Sequence, residues 1–266
     1  MSFFVCTRLS FFQKYCLLIL ATSILILTAW SIIQPDCKSP SKISVNHTLG
    51  VIVPFRDRFT NLLSFLPHMH RYLKRKGIPH TFYIVNQADD YRFNRGSLLN
   101  VGVKESEVME SRHFESSKSR RTRPQPACSM VALHDVDLLP IDDALRYEHF
   151  GRHPYHLIPY WMHPLYYAYS SYIGGAIIIS RESYKLINGF SNRFWGWGQE
   201  DDEFGLRMRE ANLVATHLRD HTSGLNTTRY TVLSRISAEI SNVNVWILNV
   251  QLHCDTLTTP HCRQDA

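Results

Sequence analysis

No charged residue occurs between Cys16 and Ile33. A run of that kind excludes a solvated surface element; as a helix it would be about 27 Å long, close to the thickness of a bilayer core. No small-x-small cleavage site follows it, and Arg8 and Lys14 precede it on a short tail. That pattern fits a retained signal anchor with its N-terminus in the cytosol, not a cleaved leader. Cysteine is scarce: there are six, of which Cys6 and Cys16 fall in the tail and the apolar run. Of the other four, Cys254 and Cys262 are the expected disulfide, pinning the C-terminal tail through a short loop, while Cys37 and Cys128 are either free or paired. There is no internal repeat, and the histidines at 68, 70, 149, 153, 156 and 163 lack ligand spacing, so they read as surface or satisfied core residues. Basic charge is also small outside one tract. Setting aside Lys118, Arg120, Arg121 and Arg123 lowers the net charge of +6 by four, to +2, so nucleic acid is not an expected partner.

What is present divides the chain into a tail (1–15), the membrane-spanning anchor (16–33), a polar stem with two prolines (34–49) and a body (50–266). Two sequons, Asn46-His-Thr48 and Asn226-Thr-Thr228, are compatible with passage through a glycosylating compartment and a luminal body. Val51–Phe55 reads as a buried strand. Phe59–Lys76 has apolar residues at helical spacing and stops at Gly77, with Pro67 inside it. Thr81–Val85 is a second strand, Gly96–Val103 a short helix, and Met130–Leu133 a third strand running into acidic residues. Such alternation predicts an α/β sheet, whose ligands gather at the carboxyl ends of the strands. Ser111–Pro126, rich in serine and basic residues, predicts a mobile loop. Tyr172–Ile179 is expected to form a second sheet element leading into a helix near Arg181–Ile187, and the region after Glu210 is weakly patterned.

The residues that carry chemistry lie at element ends. Asp135 and Asp137 follow the third strand, on one face if extended geometry continues. Hard oxygen donors there suit Mg²⁺ or Mn²⁺ bridging a nucleotide diphosphate. Arg56 and Arg58 follow the first strand and read either as phosphate contacts, with Phe55 beside a base, or as a solvated strand-to-helix turn. Glu200, Asp201, Asp202 and Glu203 are four consecutive carboxylates directly behind Trp195-Gly-Trp-Gly198. One or two acidic residues satisfy a helix N-terminus; four beside two indoles suggest a sugar-stacking platform rather than a cap.

In this order the pieces Pro54-Phe-Arg-Asp-Arg58, Phe93-Asn-Arg-Gly96, Asp135-Val-Asp137, Tyr172-Ile-Gly-Gly175 and Phe194-Trp-Gly-Trp-Gly-Gln-Glu-Asp-Asp-Glu203 resemble the β-1,4-galactosyltransferase family. The likeness is to its xylosylprotein branch, through Phe93–Gly102, His163–Tyr166, Ser191–Trp195 and the ending Cys254–Cys262, and it spans nearly all of residues 50–262. The resemblance implies a GT-A fold that uses UDP-galactose and Mn²⁺. Carried over, Pro54, Phe55, Arg56, Asp57, Arg58, Phe93, Asn94 and Arg95 would hold uridine and diphosphate, Val136 would line the donor site, and Asp137 would bind metal. Tyr172 and Trp197 would shape the galactose pocket, Gln199, Glu200, Asp201 and Asp202 would receive the acceptor, and Asp201 would be the catalytic base. An inverting transfer needs such a carboxylate on the acceptor side.

Two departures from the family pattern stand out. Ser111–Pro126 resembles an insertion, tolerable as a surface loop. Between Glu203 and Gly224 the chain is shorter than its relatives, in the interval that in the family holds a metal-binding histidine and a flexible lid. His217, in His217-Leu-Arg-Asp220, is the best remaining second ligand there. The expectation is a type II Golgi membrane protein that moves galactose from UDP-galactose to xylose on a proteoglycan core protein. The alternative is a lid-truncated relative that binds nucleotide or glycan without turnover.

Overall fold

The structure, a computed structural model, describes residues 48–116, 130–148, 152–158, 169, 172–213, 224–256, 259, 262 and 263. The apolar run 16–33, the stem up to residue 47, Cys37, Asn46, Cys128, His163 and His217 lie outside them. Among the described residues no helix is long and apolar enough to cross a membrane.

One seven-stranded mixed sheet organises the fold. Its strands are β1 (Leu49–Phe55), β2 (His80–Gln87), β3 (Met130–His134), β4 (Tyr155–His156), β5 (Ala176–Ser180), β6 (Tyr230–Ile240) and β7 (Val243–Leu252), in the order β4-β5-β3-β1-β2-β7-β6. The central strands β3, β1, β2 and β7 are parallel, and β5, β4 and β6 pair antiparallel with their neighbours. Among the described residues four helices accompany it: α1 (Phe59–Arg75), α2 (Arg95–Ser116), α3 (Arg181–Leu186) and α4 (Glu200–Glu210).

Alternation along the strands divides the core in two. Val51, Val53, Phe82 and Ile84 pack with Leu62, Phe65, Leu66, Met69 and Leu73 of α1. Ile52, Tyr83 and Val85 pack on the other face with Leu98, Leu99, Val101 and Val103 of α2 and with Tyr184 and Phe204. Successive strand residues face opposite layers, so continuous apolar strands such as Val51-Ile-Val53 signal burial on both faces. The sequence-based helix at 59–76 is present; its buried stripe is Leu62, Phe65, Leu66, Met69, Tyr72 and Leu73, while Phe59 and Leu63 are exposed. It ends in a Schellman-type cap: Gly77 has φ 68°, its N–H donates to Lys74, and that of Ile78 donates to Leu73.

Three expectations need correction. The helix expected over Gly96–Val103 extends as α2 to Ser116, so the first six residues of the tract expected to be a loop are helical. No glycine or proline interrupts Val103–Ser116, and Glu105, Glu107 and Glu110 each find a cationic partner in Arg235, Lys185 and Arg181. Tyr172–Ile179 does not begin a second sheet; Ala176–Ser180 alone is strand and pairs antiparallel with β3 in the same sheet. The weakly patterned region after Glu210 contains a long hairpin, β6–β7, turned by Ser241 and Asn242 at φ 51° and 63°. Two left-handed residues make the turn whose twist matches the strands. The expected Cys254–Cys262 disulfide is present just beyond β7.

Gly102 sets the distance between α2 and the sheet. A Cβ there would lie 2.2 Å from Ile52 Cγ2 and 2.9 Å from Val85 Cγ2. Gly102→Ala is therefore expected to lower unfolding stability by roughly 1–3 kcal/mol through overpacking. Urea unfolding measures this, and a wild-type midpoint would mean that helix and sheet separate freely.

Candidate active site

The carboxyl ends of the parallel strands and the first turns of α2 and α4 converge on Arg95. Its Nε donates to Asp135 Oδ1 at 2.7 Å and its Nη1 to Asp201 Oδ1 at 2.7 Å, while Glu200 Oε1 lies 3.7 Å from Nη1. The guanidinium also lies over the Phe190 ring, 5.7 Å from its centroid. Arg95 is held here because Asn94 caps α2: its Oδ1 accepts the Ser97 N–H at 2.9 Å and its Nδ2 donates to Asn192 O at 2.9 Å. Side chains on a helix project about 100° apart, so the four acidic residues opening α4 divide among three partners. Asp201 meets Arg95, Asp202 accepts from Tyr169, Glu203 pairs with buried Arg207 at 2.7 Å, and Glu200 turns toward Arg95.

Burial pushes the Asp135 carboxyl up to about 6 against the pull of Arg95. Burial, then the neighbouring Asp201 charge, pushes Glu200 up to about 7, with Arg95 opposing. Burial by itself would lower Arg95, but Asp135, Asp201 and Glu200 outweigh it and hold the guanidinium well above its ordinary value. Below the cluster, burial holds His134 down to about 4. His134 donates from Nδ1 to Asp135 O at 2.8 Å and accepts the Tyr147 hydroxyl at Nε2 at 3.0 Å.

The two aspartates of Asp-Val-Asp do not share an extended face. The strand ends at His134 and the chain turns, with Leu138 N–H reaching Asp135 O at 3.5 Å. Val136 is buried and Asp135 turns to Arg95, whereas Asp137 is exposed and makes no side-chain hydrogen bond or ion pair among the described residues. A free hard-oxygen donor beside carboxylates already tied to Arg95 is suited to a divalent cation such as Mn²⁺. Among the described residues no three His, Cys, Asp or Glu side chains are arranged to hold a metal ion by themselves, and His217 lies outside them.

Gly174 stands against the base candidate: a Cβ there would lie 2.4 Å from Asp201 Oδ2 and 2.9 Å from the Tyr172 ring. His156 Nε2 donates to Gly174 O at 2.8 Å, so a histidine read from sequence as a bystander fixes this strip. The Trp-Gly-Trp-Gly segment splits its indoles. Trp195 is buried and meets Tyr91 edge-on at 5.9 Å, while Trp197 is 89% exposed between Gly196 and Gly198 at φ 96° and 102°. Gln199, at φ 70°, is exposed at the start of α4.

The donor-side candidates divide by environment. Pro54 and Phe55 are buried at the end of β1, while Asp57 and Arg58 are exposed. Arg56 donates to Tyr91 O at 2.6 Å and Asp89 O at 2.9 Å and lies 5.9 Å from the Phe93 ring centroid, so it braces the loop after β2. Asn192 was not singled out from sequence, yet it joins three segments. Its Oδ1 accepts from Asn100 at 2.9 Å and Thr228 at 2.9 Å, and its Nδ2 donates to Gly224 O at 2.7 Å. No spacing signal marks it, because its partners are 92, 36 and 32 residues away.

A mixed α/β sheet that brings an arginine-tethered carboxylate cluster, a free aspartate and an exposed indole to one end has the layout of a sugar-transferring enzyme. Family profiles agree: the N-terminal region of glycosyl transferase group 7 matches residues 28–149, and the N-terminal domain of galactosyltransferase matches residues 152–234. The chain belongs to this galactosyltransferase family. It is 40% identical over 251 residues to mouse β-1,4-galactosyltransferase 7, covering 81% of this chain and 71% of the relative. To the xylosylprotein 4-β-galactosyltransferase of Caenorhabditis elegans it is 34% identical over 256 residues, covering 82% of each. A mutant Drosophila β-1,4-galactosyltransferase 7, solved in complex with manganese, UDP-Gal and xylobiose, superposes with TM-score 0.70 at 35% identity, over 82% of this chain and 99% of that one.

Glu200 generates a pH prediction. Its folded pKa is raised, so its stabilising contribution is present below the ordinary glutamate range and is lost as pH rises through about 7. Glu200→Gln removes that loss. The variant is expected to exceed the wild type by on the order of 1–3 kcal/mol at pH 8, at roughly 1.4 kcal/mol per pKa unit, and to converge with it at about pH 4, below the ordinary glutamate range. Thermal melts at both pH values check this, and a gap that widens on acidification would reverse the assignment.

Proposed function

We propose that this protein is an inverting β-1,4-galactosyltransferase of the GT-A type that transfers galactose from UDP-galactose to xylose on a proteoglycan core protein. The observation that carries the reading is the Arg95-tethered Asp201 at the start of α4, beside a free Asp137 at the end of β3. Relatives named for this activity, and a relative solved with manganese, UDP-Gal and xylobiose, support it. The lid-truncated binding protein is not favoured. The galactosyltransferase profile runs through the shortened interval to residue 234, and the solved Drosophila chain is matched over 99% of its length.

The chain's own groups take defined parts. Arg95 holds Asp201 Oδ1, so the other oxygen, facing Gly174, is the atom left to take the proton from the xylose O4 hydroxyl. Gly174 leaves room for that oxygen, and Tyr172 walls the sugar beside it. Exposed Trp197, flanked by Gly196 and Gly198 at positive φ, offers an indole face to the sugar. Asp137 would hold Mn²⁺, with His217 as a second ligand; the ion supplies charge neutralisation to the departing diphosphate. Arg58 is free to meet phosphate, whereas Arg56 acts by bracing the loop that presents Phe93.

The uncharged run at 16–33 after Arg8 and Lys14 supports a single-pass type II anchor, with residues 34–49 as stem and the body in the Golgi lumen. A disulfide at Cys254–Cys262 suits an oxidising compartment.

Asp201→Asn is expected to leave fold and UDP affinity intact and to lower transfer to a β-xyloside by roughly a hundredfold or more. Near wild-type turnover would assign the proton to another group. Asp137→Ala is expected to abolish Mn²⁺-dependent UDP binding in calorimetry, and equal affinity with and without Mn²⁺ in both proteins would remove the metal assignment.

A further inference from the structure

We propose that Asn226 carries an N-linked glycan, added before the turn that holds it docks onto the domain. The inference rests on the luminal placement proposed above. Asn226-Thr-Thr228 meets the acceptor rule for such modification. The structure adds that its two ends have opposite fates. Asn226 is exposed in the turn Gly224–Thr227, closed by Thr227 N–H to Gly224 O at 3.0 Å. Its backbone N–H donates to Asn188 Oδ1 at 2.9 Å, and its side-chain amide makes no hydrogen bond among the described residues. Thr228 is buried, and its hydroxyl is committed to Asn192 Oδ1 at 2.9 Å and Gly224 O at 2.8 Å. A glycosylating enzyme that must read this hydroxyl meets it only before Asn192 captures it. Once the turn has docked, the asparagine that bears the sugar stays outside and the threonine that specified it is part of the core.

In the modification the Asn226 amide nitrogen bonds to the anomeric carbon of a lipid-diphosphate-linked oligosaccharide. The bond from that carbon to the diphosphate oxygen breaks, the lipid diphosphate leaves with the electron pair, and the amide gives up one proton. The glycan then stands at the rim of a cavity of about 270 Å³, because the neighbouring Thr227 and Arg229 line it with Arg193, Trp195 and His253.

The two residues are therefore separable. In full-length chain carrying Asn46→Gln, translated with microsomes, endoglycosidase treatment is expected to increase mobility by one glycan step. Asn226→Gln should remove that step without changing the thermal melt of the purified protein. Thr228→Ser should retain it, whereas Thr228→Val should lose it and also melt lower, since Asn192 Oδ1 loses a donor. Protease protection of the body reports its side of the membrane independently. A protected body whose mobility is insensitive to both endoglycosidase and Asn226→Gln overturns the glycan and leaves the luminal reading standing. An accessible, unmodified body overturns both.

Discussion

The guanidinium of Arg95 is the charge on which the site depends. Asp135, Glu200 and Asp201 come from two separate elements, and their repulsion in a half-buried space would drive them apart or protonate them. Two hydrogen bonds of 2.7 Å from one planar cation fix the separation of Asp135 and Asp201 and leave each with one oxygen outside that pair. A lysine would supply the charge without the fork geometry.

The fold serves this constraint through short connections. Arg95 opens α2 directly after the loop that leaves β2, and Asp135 follows β3 by one residue. Both strands flank β1, so the sheet register sets the distance between those two groups. Asp201 comes from a helix whose Phe204 ring stacks on Phe190 with centroids 3.9 Å apart, and Asn192 ties the segment before it to α2 and to the 224–228 turn. The glycines answer steric needs around the same point. Gly174 gives space to Asp201, and Gly196 and Gly198 hold backbone that lets one indole anchor while the next stays exposed.

Much of the parallel core was legible because both-face burial leaves continuous apolar strands, and α1 was legible through its 3.6-residue period. The β6–β7 hairpin was not. β6 is an edge strand with exposed Leu233 and Ile236, so its pattern does not alternate cleanly, and its turn lacks glycine. At the site, family resemblance reached Asp137, Trp197 and Asp201 by motif. Motif also points to Arg56 and Asn94 as donor residues, and it does not report the contacts they make in the fold: the first braces the loop after β2 and the second caps α2.

By itself the sequence determined the α/β class, the chain's ancestry, the disulfide partners and the identity of the carboxylates. These depend on local periodicity, residue chemistry and motif order, all carried within a few residues. Tertiary structure alone decided which carboxylate is tethered and which is free. Asp135 and Asp137 are chemically alike and two residues apart, yet a turn after His134 sends one to Arg95 and exposes the other. Arg95 and Asp201 are 106 positions apart, and only the tertiary fold places Arg95 Nη1 2.7 Å from Asp201 Oδ1. Burial then sets the protonation of Asp135 and Glu200, because desolvation acts on a group's surroundings in space and not on its place in the chain.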